Sequence, residues 1–256
     1  MTKCIWCKCG DAPSAVEHII PEALGCPDGF LLSGGTVCRT CNNGLAHLDQ
    51  AVIGDFDISA FMAGIPRKRG RPPVIRSRGN VIGTSGPSGA EISINMERYP
   101  VKAHDGATLG AFGKSDRNIQ ASFEHDGQFG KTSFSVSIGQ NPKFVRGIVK
   151  IAFSSLAYFL GGETALSEVY DPVRDFVREG TGDRRILITL STAGGYRNQA
   201  WPPYRSETGE YAVTFRLIAV EFLVDLSPKS TLFPMLRDKA NEFYGESGWT
   251  YLPIGD

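Results

Sequence analysis

Apolar and polar residues alternate with two different periods along this chain, and the change of period marks its organisation. Between Asn42 and Ile53 the apolar residues Leu45, Leu48 and Val52 recur at helical spacing, which predicts an amphipathic helix. Asn42 and Asn43 are suitable caps for its start, and Gly54 is a suitable stop. Past residue 90 the period shortens to two, in Ile92, Ile94 and Met96, then Ile119, Ala121 and Phe123, then Phe134, Val136 and Ile138. These runs predict strands, and Asp126-Gly127 between the last two predicts a turn. Residues 144–160 are apolar on nearly every side and predict a buried helix. Leu166, Val169, Tyr170, Val173, Phe176 and Val177 predict another, with Pro172 as an interruption. Further strands are expected at about 185–191 and 211–224.

The expected fold class is α+β, in three parts. Residues 1–57 form a compact cysteine module that ends in a helix. Residues 58–90 form an interdomain linker or a basic loop, because Gly64, Pro66, Gly70, Pro72 and Pro73 oppose long regular structure and Gly83 to Gly89 read as turns. Residues 91–256 form a larger α+β domain, expected to recognise a target or to make a homodimer. No internal repeat is visible.

Composition adds that the chain is ordinary for a globular protein, with 41% hydrophobic and 21% charged residues. No stretch approaches the ~18 uninterrupted apolar residues of a membrane span, so no membrane partner is expected. Cys4, Trp6 and Cys7 stand where a signal peptide needs an apolar run, so the expected compartment is the reducing cytoplasm. There, cysteines serve metal binding or chemistry more often than disulfides.

All six cysteines lie in the first 41 residues. Cys4-Ile5-Trp6-Cys7 and Cys38-Arg39-Thr40-Cys41 are two C-x-x-C knuckles, and two such knuckles complete a tetrahedral zinc site. Four thiolates leave no open position, so the zinc is expected to be structural and to supply folding energy that a small module lacks. Cys9 is an alternative to Cys7 as ligand, and Cys26 is expected to be a small core residue.

A formal net charge of zero conceals an uneven distribution. Residues 1–57 carry −4, residues 58–90 carry +6 with no acid, and the remainder carries −2. Arg67, Lys68, Arg69 and Arg71 concentrate that positive charge and are expected to contact nucleic-acid phosphates. Their Arg-Gly-Arg-Pro core is similar to an AT-hook, which lays arginines into a narrow minor groove.

Between the knuckles lies Glu17-His18-Ile19-Ile20-Pro21, and the second knuckle opens directly into Asn42. In this combination, over Cys4 to about Asp49, the chain resembles the HNH endonuclease family. The resemblance implies a ββα-metal fold, a hairpin packed on one helix, and hydrolysis of DNA phosphodiester bonds, with RNA as the alternative substrate. It implies His18 as general base, and Glu17 and Asn42 as ligands of a catalytic Mg²⁺ or Mn²⁺. Asn43 and His47 share a helix face and are an alternative to Asn42. Asp49, Asp55 and Asp57 are expected to be solvated, although within reach of the metal.

The family's middle Asn has no counterpart in the run Leu31 to Thr36, and strict alternation turns Glu17 and His18 to opposite faces, so the resemblance implies a bend there. Restriction or phage defence is the commonest setting it implies. The competing reading is a zinc-stabilised nucleic-acid-binding protein whose HNH-like site is not catalytic.

Overall fold

In a computed structural model of the chain, residues 3–10, 13–66, 138–139, 141–191 and 197–252 are described in full. Between 67 and 137, and apart from 137 itself, the backbone of the strands alone is described. The fold is α+β. The chain divides into two compact units, one joining Met1–Gly54 to Gly139–Asp256 and the other comprising Asp55–Ile138. Most of residues 1–57 thus share a unit with Gly139–Asp256, while residues 91–138 fall in the other unit.

The first unit opens with β1 (Ser14–His18), a 3-10 turn at Glu22–Leu24, β2 (Leu31–Cys38) and α1 (Arg39–Met62). β1 and β2 pair antiparallel, with Glu17 opposite Leu32 and His18 opposite Leu31. The register slips between Ala15 and Glu17, because the intervening part of β2 carries Gly34 and Gly35 at φ of 65° and 86°. Only glycine enters that left-handed region freely, so these residues let β2 bulge. The bend expected between Glu17 and His18 is instead this bulge, one residue earlier and on the opposite strand.

α1 starts three residues before Asn42 and runs eight past Gly54. Its start is set by the knuckle, since the Cys41 N–H donates to Cys38 Sγ at 3.4 Å in the manner of a helix cap. Asn42 and Asn43 therefore lie inside the helix. Gly54 does not stop it. A helical glycine costs only ~1 kcal/mol, and Phe56, Ile58 and Phe61 beyond it are all buried.

Among the described residues, the second unit contains three antiparallel assemblies. β3 (Ile75–Arg78), β4 (Val81–Gly86) and β5 (Gly89–Ile94) form one sheet. β6 (Val101–Lys102) pairs with β7 (Thr108–Gly110), and β8 (Ile119–His125) with β9 (Gly130–Val136). The β8–β9 hairpin is the one its alternating residues predicted. Where Gly83 to Gly89 suggested turns, β4 and β5 are paired strands, because backbone pairing tolerates small side chains that carry no strand signal of their own.

The first unit resumes with α2 (Pro142–Leu160), capped by the Asn141 side chain and with Pro142 in its first turn. Then come α3 (Gly162–Leu166) and α4 (Asp171–Glu179). Pro172 begins α4 rather than interrupting a longer helix, since its missing N–H is needless at a helix start. The sheet that follows is built from β10 (Ile186–Leu190), β11 (Gln199–Ala200), β12 (Tyr204–Arg205), β13 (Tyr211–Leu217), β14 (Val220–Asp225) and β15 (Trp249–Leu252). Its order is β11-β13-β14-β10-β15, with β12 also on β13. Alternation gives it two faces. Phe222 packs towards Phe144 of α2, while Leu187 and Ala212 pack under α5 (Phe233–Tyr244).

The cysteine segment is anchored on this frame. Trp6 is buried with its ring 5.1 Å from that of Phe153 on α2, and Phe30 stacks edge-on to Tyr158 at 4.9 Å. α1 and α2 approach so closely at Gly147 that a Cβ there would lie 2.5 Å from Val52 Cγ2 and 2.9 Å from the Leu48 carbonyl oxygen. No helix among the described residues is long and apolar enough to cross a membrane.

Candidate functional site

Two clusters of chemically useful side chains stand at opposite ends of the β1–β2 hairpin. The first is the cysteines. The sulfurs of Cys4, Cys7, Cys38 and Cys41 lie within 4.8 Å of one another, a group able to hold a metal ion. Cys9 lies outside it, its sulfur donating to the Cys7 carbonyl at 3.6 Å, so Cys7 supplies the fourth sulfur. The Cys38 N–H donates to Cys4 Sγ at 3.3 Å, as the Cys41 N–H does to Cys38. Such donors favour the thiolate form. Against them, burial pushes the Cys41 thiol well up, and its contact with Cys38 adds to the effect. Four sulfurs this close resist ionising together unless a cation offsets their charge. Cys26 stands apart, half-buried and donating to the Phe30 carbonyl at 3.3 Å.

The second cluster is formed by Glu17, Asp49 and Lys150. Glu17 is buried, with only 2% of its surface exposed, at the inward-facing position of β1. The Lys150 ammonium, from the middle of α2, lies 3.0 Å from Glu17 Oε1 and 2.8 Å from Asp49 Oδ1. Ser154, one turn further along α2, donates to Glu17 Oε1 at 3.4 Å. Glu17 Oε2 is buried without a hydrogen-bond partner among the described residues. Burial pushes the Asp49 carboxyl up, and Lys150 offsets this only in part. Burial also opposes the charge on Lys150, but Glu17 and Asp49 together outweigh it and hold the ammonium above its ordinary range. One cation therefore serves two carboxylates.

His18 follows Glu17 in unbroken register, so its side chain turns to the other face of the hairpin, where it is half-buried. Asn42 is half-buried in the first turns of α1. It shares a face with Asp49, seven residues or ~10 Å further along the axis. The helix residue beside Glu17 is thus Asp49, not Asn42. His47 is exposed, its Nδ1 2.9 Å from the Gly44 carbonyl oxygen. Asp55 and Asp57, expected in solvent, are buried.

Lys150 was overlooked in the sequence reading, and Asp49 was expected in solvent within reach of the metal. Signals for both existed. Asp49 is spaced two helical turns from Asn42, and Lys150 is a lone ammonium in the apolar core of FVRGIVKIAFSSLAYFL. A charge in such a run is expensive unless something pairs with it. Arg67, Lys68, Arg69 and Arg71 lie outside the described residues. Compared with family models, with curated proteins and with solved structures, the chain matches none.

Proposed function

We propose that the protein is a metal-dependent endonuclease of the HNH type, acting on DNA, with a structural zinc at Cys4, Cys7, Cys38 and Cys41. The observation that carries this reading is the approach of Glu17 and Asp49 to one buried cation, Lys150, at a β-hairpin that also bears His18 and leads through a four-cysteine cluster into a helix. Carboxylates are hard donors suited to Mg²⁺ or Mn²⁺. Glu17 and Asp49 would hold such an ion. The unpartnered Glu17 Oε2 fits a site that a cation completes. Bound there, the ion would offset charge on the scissile phosphate. His18 accepts a proton from the attacking water, which a neutral imidazole does near pH 7. The basic residues Arg67, Lys68, Arg69 and Arg71 hold the strand through its phosphates.

Incubating the protein with plasmid and Mg²⁺ or Mn²⁺ tests this. Cleavage by the wild type is expected, and His18→Ala should lose ~10²–10⁴-fold in rate with melting temperature, zinc content and DNA affinity retained. Asp49→Asn should recover part of its loss at high Mn²⁺, whereas His18→Ala should not. One observation favours a second reading, a nucleic-acid-binding protein with no hydrolytic activity. Lys150 already supplies a cation between Glu17 and Asp49. Protein that binds DNA but cuts it with neither metal would select that reading.

A further inference from the structure

On the face of the sheet opposite α2, α5 and the strands enclose a cavity of about 200 Å³. It is smaller than the ~300–1,000 Å³ of sites for drug-sized ligands, which suits a single ring system. Its aromatic lining comes from three directions: Tyr204 on β12, Trp249 on β15, and Phe243 and Tyr244 at the end of α5. Three of these rings are unusually exposed for their size, with Phe243 at 76%, Tyr244 at 48% and Tyr204 at 42%. Aromatic surface gathered at one opening stacks on a flat ligand.

The polar groups narrow the choice. Glu221 is the one carboxylate in the lining. It sits in a row across the sheet, between Arg216 on β13 and Thr189 on β10. It accepts from the Tyr244 hydroxyl at 3.2 Å, and its Oε1 lies 3.9 Å from the Arg216 guanidinium. A carboxylate carries about four acceptor sites, so Glu221 still accepts an N–H from a ligand. Its charge, however, is offset by Arg216. Lys239 stands over the Tyr204 ring at 4.7 Å, exposed among the lining residues. A free carboxylate among aromatic rings would suit an organic cation, but Arg216 and Lys239 oppose one. The lining instead suits a flat, neutral ring with amine donors inside and an anion outside near Lys239.

We propose that this cavity takes one unpaired nucleobase bearing an exocyclic amine (cytosine, adenine or guanine) from a nucleic-acid strand whose backbone phosphate meets Lys239. The base stacks on Phe243 and Trp249 and donates its amine to Glu221. This adds a base-reading site to the proposed nuclease and names the part of the substrate it recognises. It rests on that reading only for its use, since binding here needs no hydrolysis.

The test is equilibrium binding of the full chain, without added Mg²⁺ or Mn²⁺, to a fluorescent duplex carrying a single unpaired cytosine. A matched probe has an abasic residue at that position, and a third carries thymine. Stacking of one base accounts for roughly 5- to 150-fold in affinity. The cytosine probe should bind tighter than the abasic one by a factor in that range, and tighter than thymine. Phe243→Ala changes a largely exposed residue, so the fold survives it, and it should bring the cytosine and abasic probes close together. Glu221→Gln should erase the preference for cytosine over thymine. Equal binding of cytosine and abasic probes by the wild type would overturn the proposal. So would an undiminished preference in Phe243→Ala, or displacement of the probe by free cytidine monophosphate or an aromatic peptide at the concentration of the strand. Because cleavage is not read, a protein that cuts no DNA can still pass this test, and an active nuclease can fail it.

Discussion

The Lys150 ammonium lies 3.0 Å from Glu17 Oε1, and the two side chains are 1% and 2% exposed. This pair joins the middle of α2 to β1 across more than half the sequence, and Asp49 of α1 shares the same cation. Burying charge is costly, and a buried pair is a weak source of stability compared with apolar residues of the same shape. Removing one partner is another matter.

Lys150→Met should therefore destabilise the fold by about 3–5 kcal/mol, because Glu17 is left charged in an apolar setting. Glu17→Gln combined with Lys150→Met should recover much of that loss. Chemical denaturation of the two variants measures the difference. A Lys150→Met protein as stable as the wild type would show that water reaches Glu17.

Stability should fall as the solution becomes strongly alkaline. Glu17 and Asp49 raise the Lys150 pKa over the opposing effect of burial, so its contribution is complete below about 10.5 and is lost as pH climbs through the higher folded value. Tyr170 acts with the same sign, because burial, helped by Tyr211, pushes it up to about 12 and its ionisation is resisted between 10 and 12. Melting temperatures taken from pH 9 to 12 should decline, and the gap between the wild type and Lys150→Met should narrow over that range.

Cys38→Ser should remove bound zinc, expected at about one per chain in the wild type, and lower the melting temperature. Serine is itself a favoured residue for capping a helix start. The substitution therefore spares the start of α1 and reports on the metal. Elemental analysis alongside calorimetry measures both. Wild-type protein that is fully stable and free of metal would remove zinc from the account.

Gly147→Ala should destabilise, although alanine is the better helix former by ~1 kcal/mol. The added methyl would meet Val52 and, less yieldingly, the backbone of Leu48. Overpacking of this kind costs ~1–3 kcal/mol. A fall of several degrees in melting temperature is expected, at ~2–4 °C per kcal/mol for a chain of this size.

How far the sequence revealed these features depended on whether the signal was local. The buried helix at 144–160, the β8–β9 hairpin and the four-cysteine group all follow from periodicity or spacing within short stretches. The start of α1 did not, because it is set by the sulfur of Cys38 rather than by the asparagines that follow it. The Glu17 cluster was half legible. The acid beside His18 could be singled out, but its partner stands 133 positions away, and only the fold brings Lys150 to it. α5 was missed although its buried residues Phe233, Leu236 and Ala240 recur at helical spacing.

The close crossing of α1 and α2 at Gly147, together with the seat of Trp6 on Phe153, bears on how this protein can be cut and recombined. A fragment ending at Gly54 would bare Trp6, Leu48 and Val52 to water and leave Glu17 without its lysine. Such a piece would be sticky and poorly folded whatever metal it held. The cysteine segment is therefore not a portable cassette. To graft it onto another protein, α2 would have to travel with it.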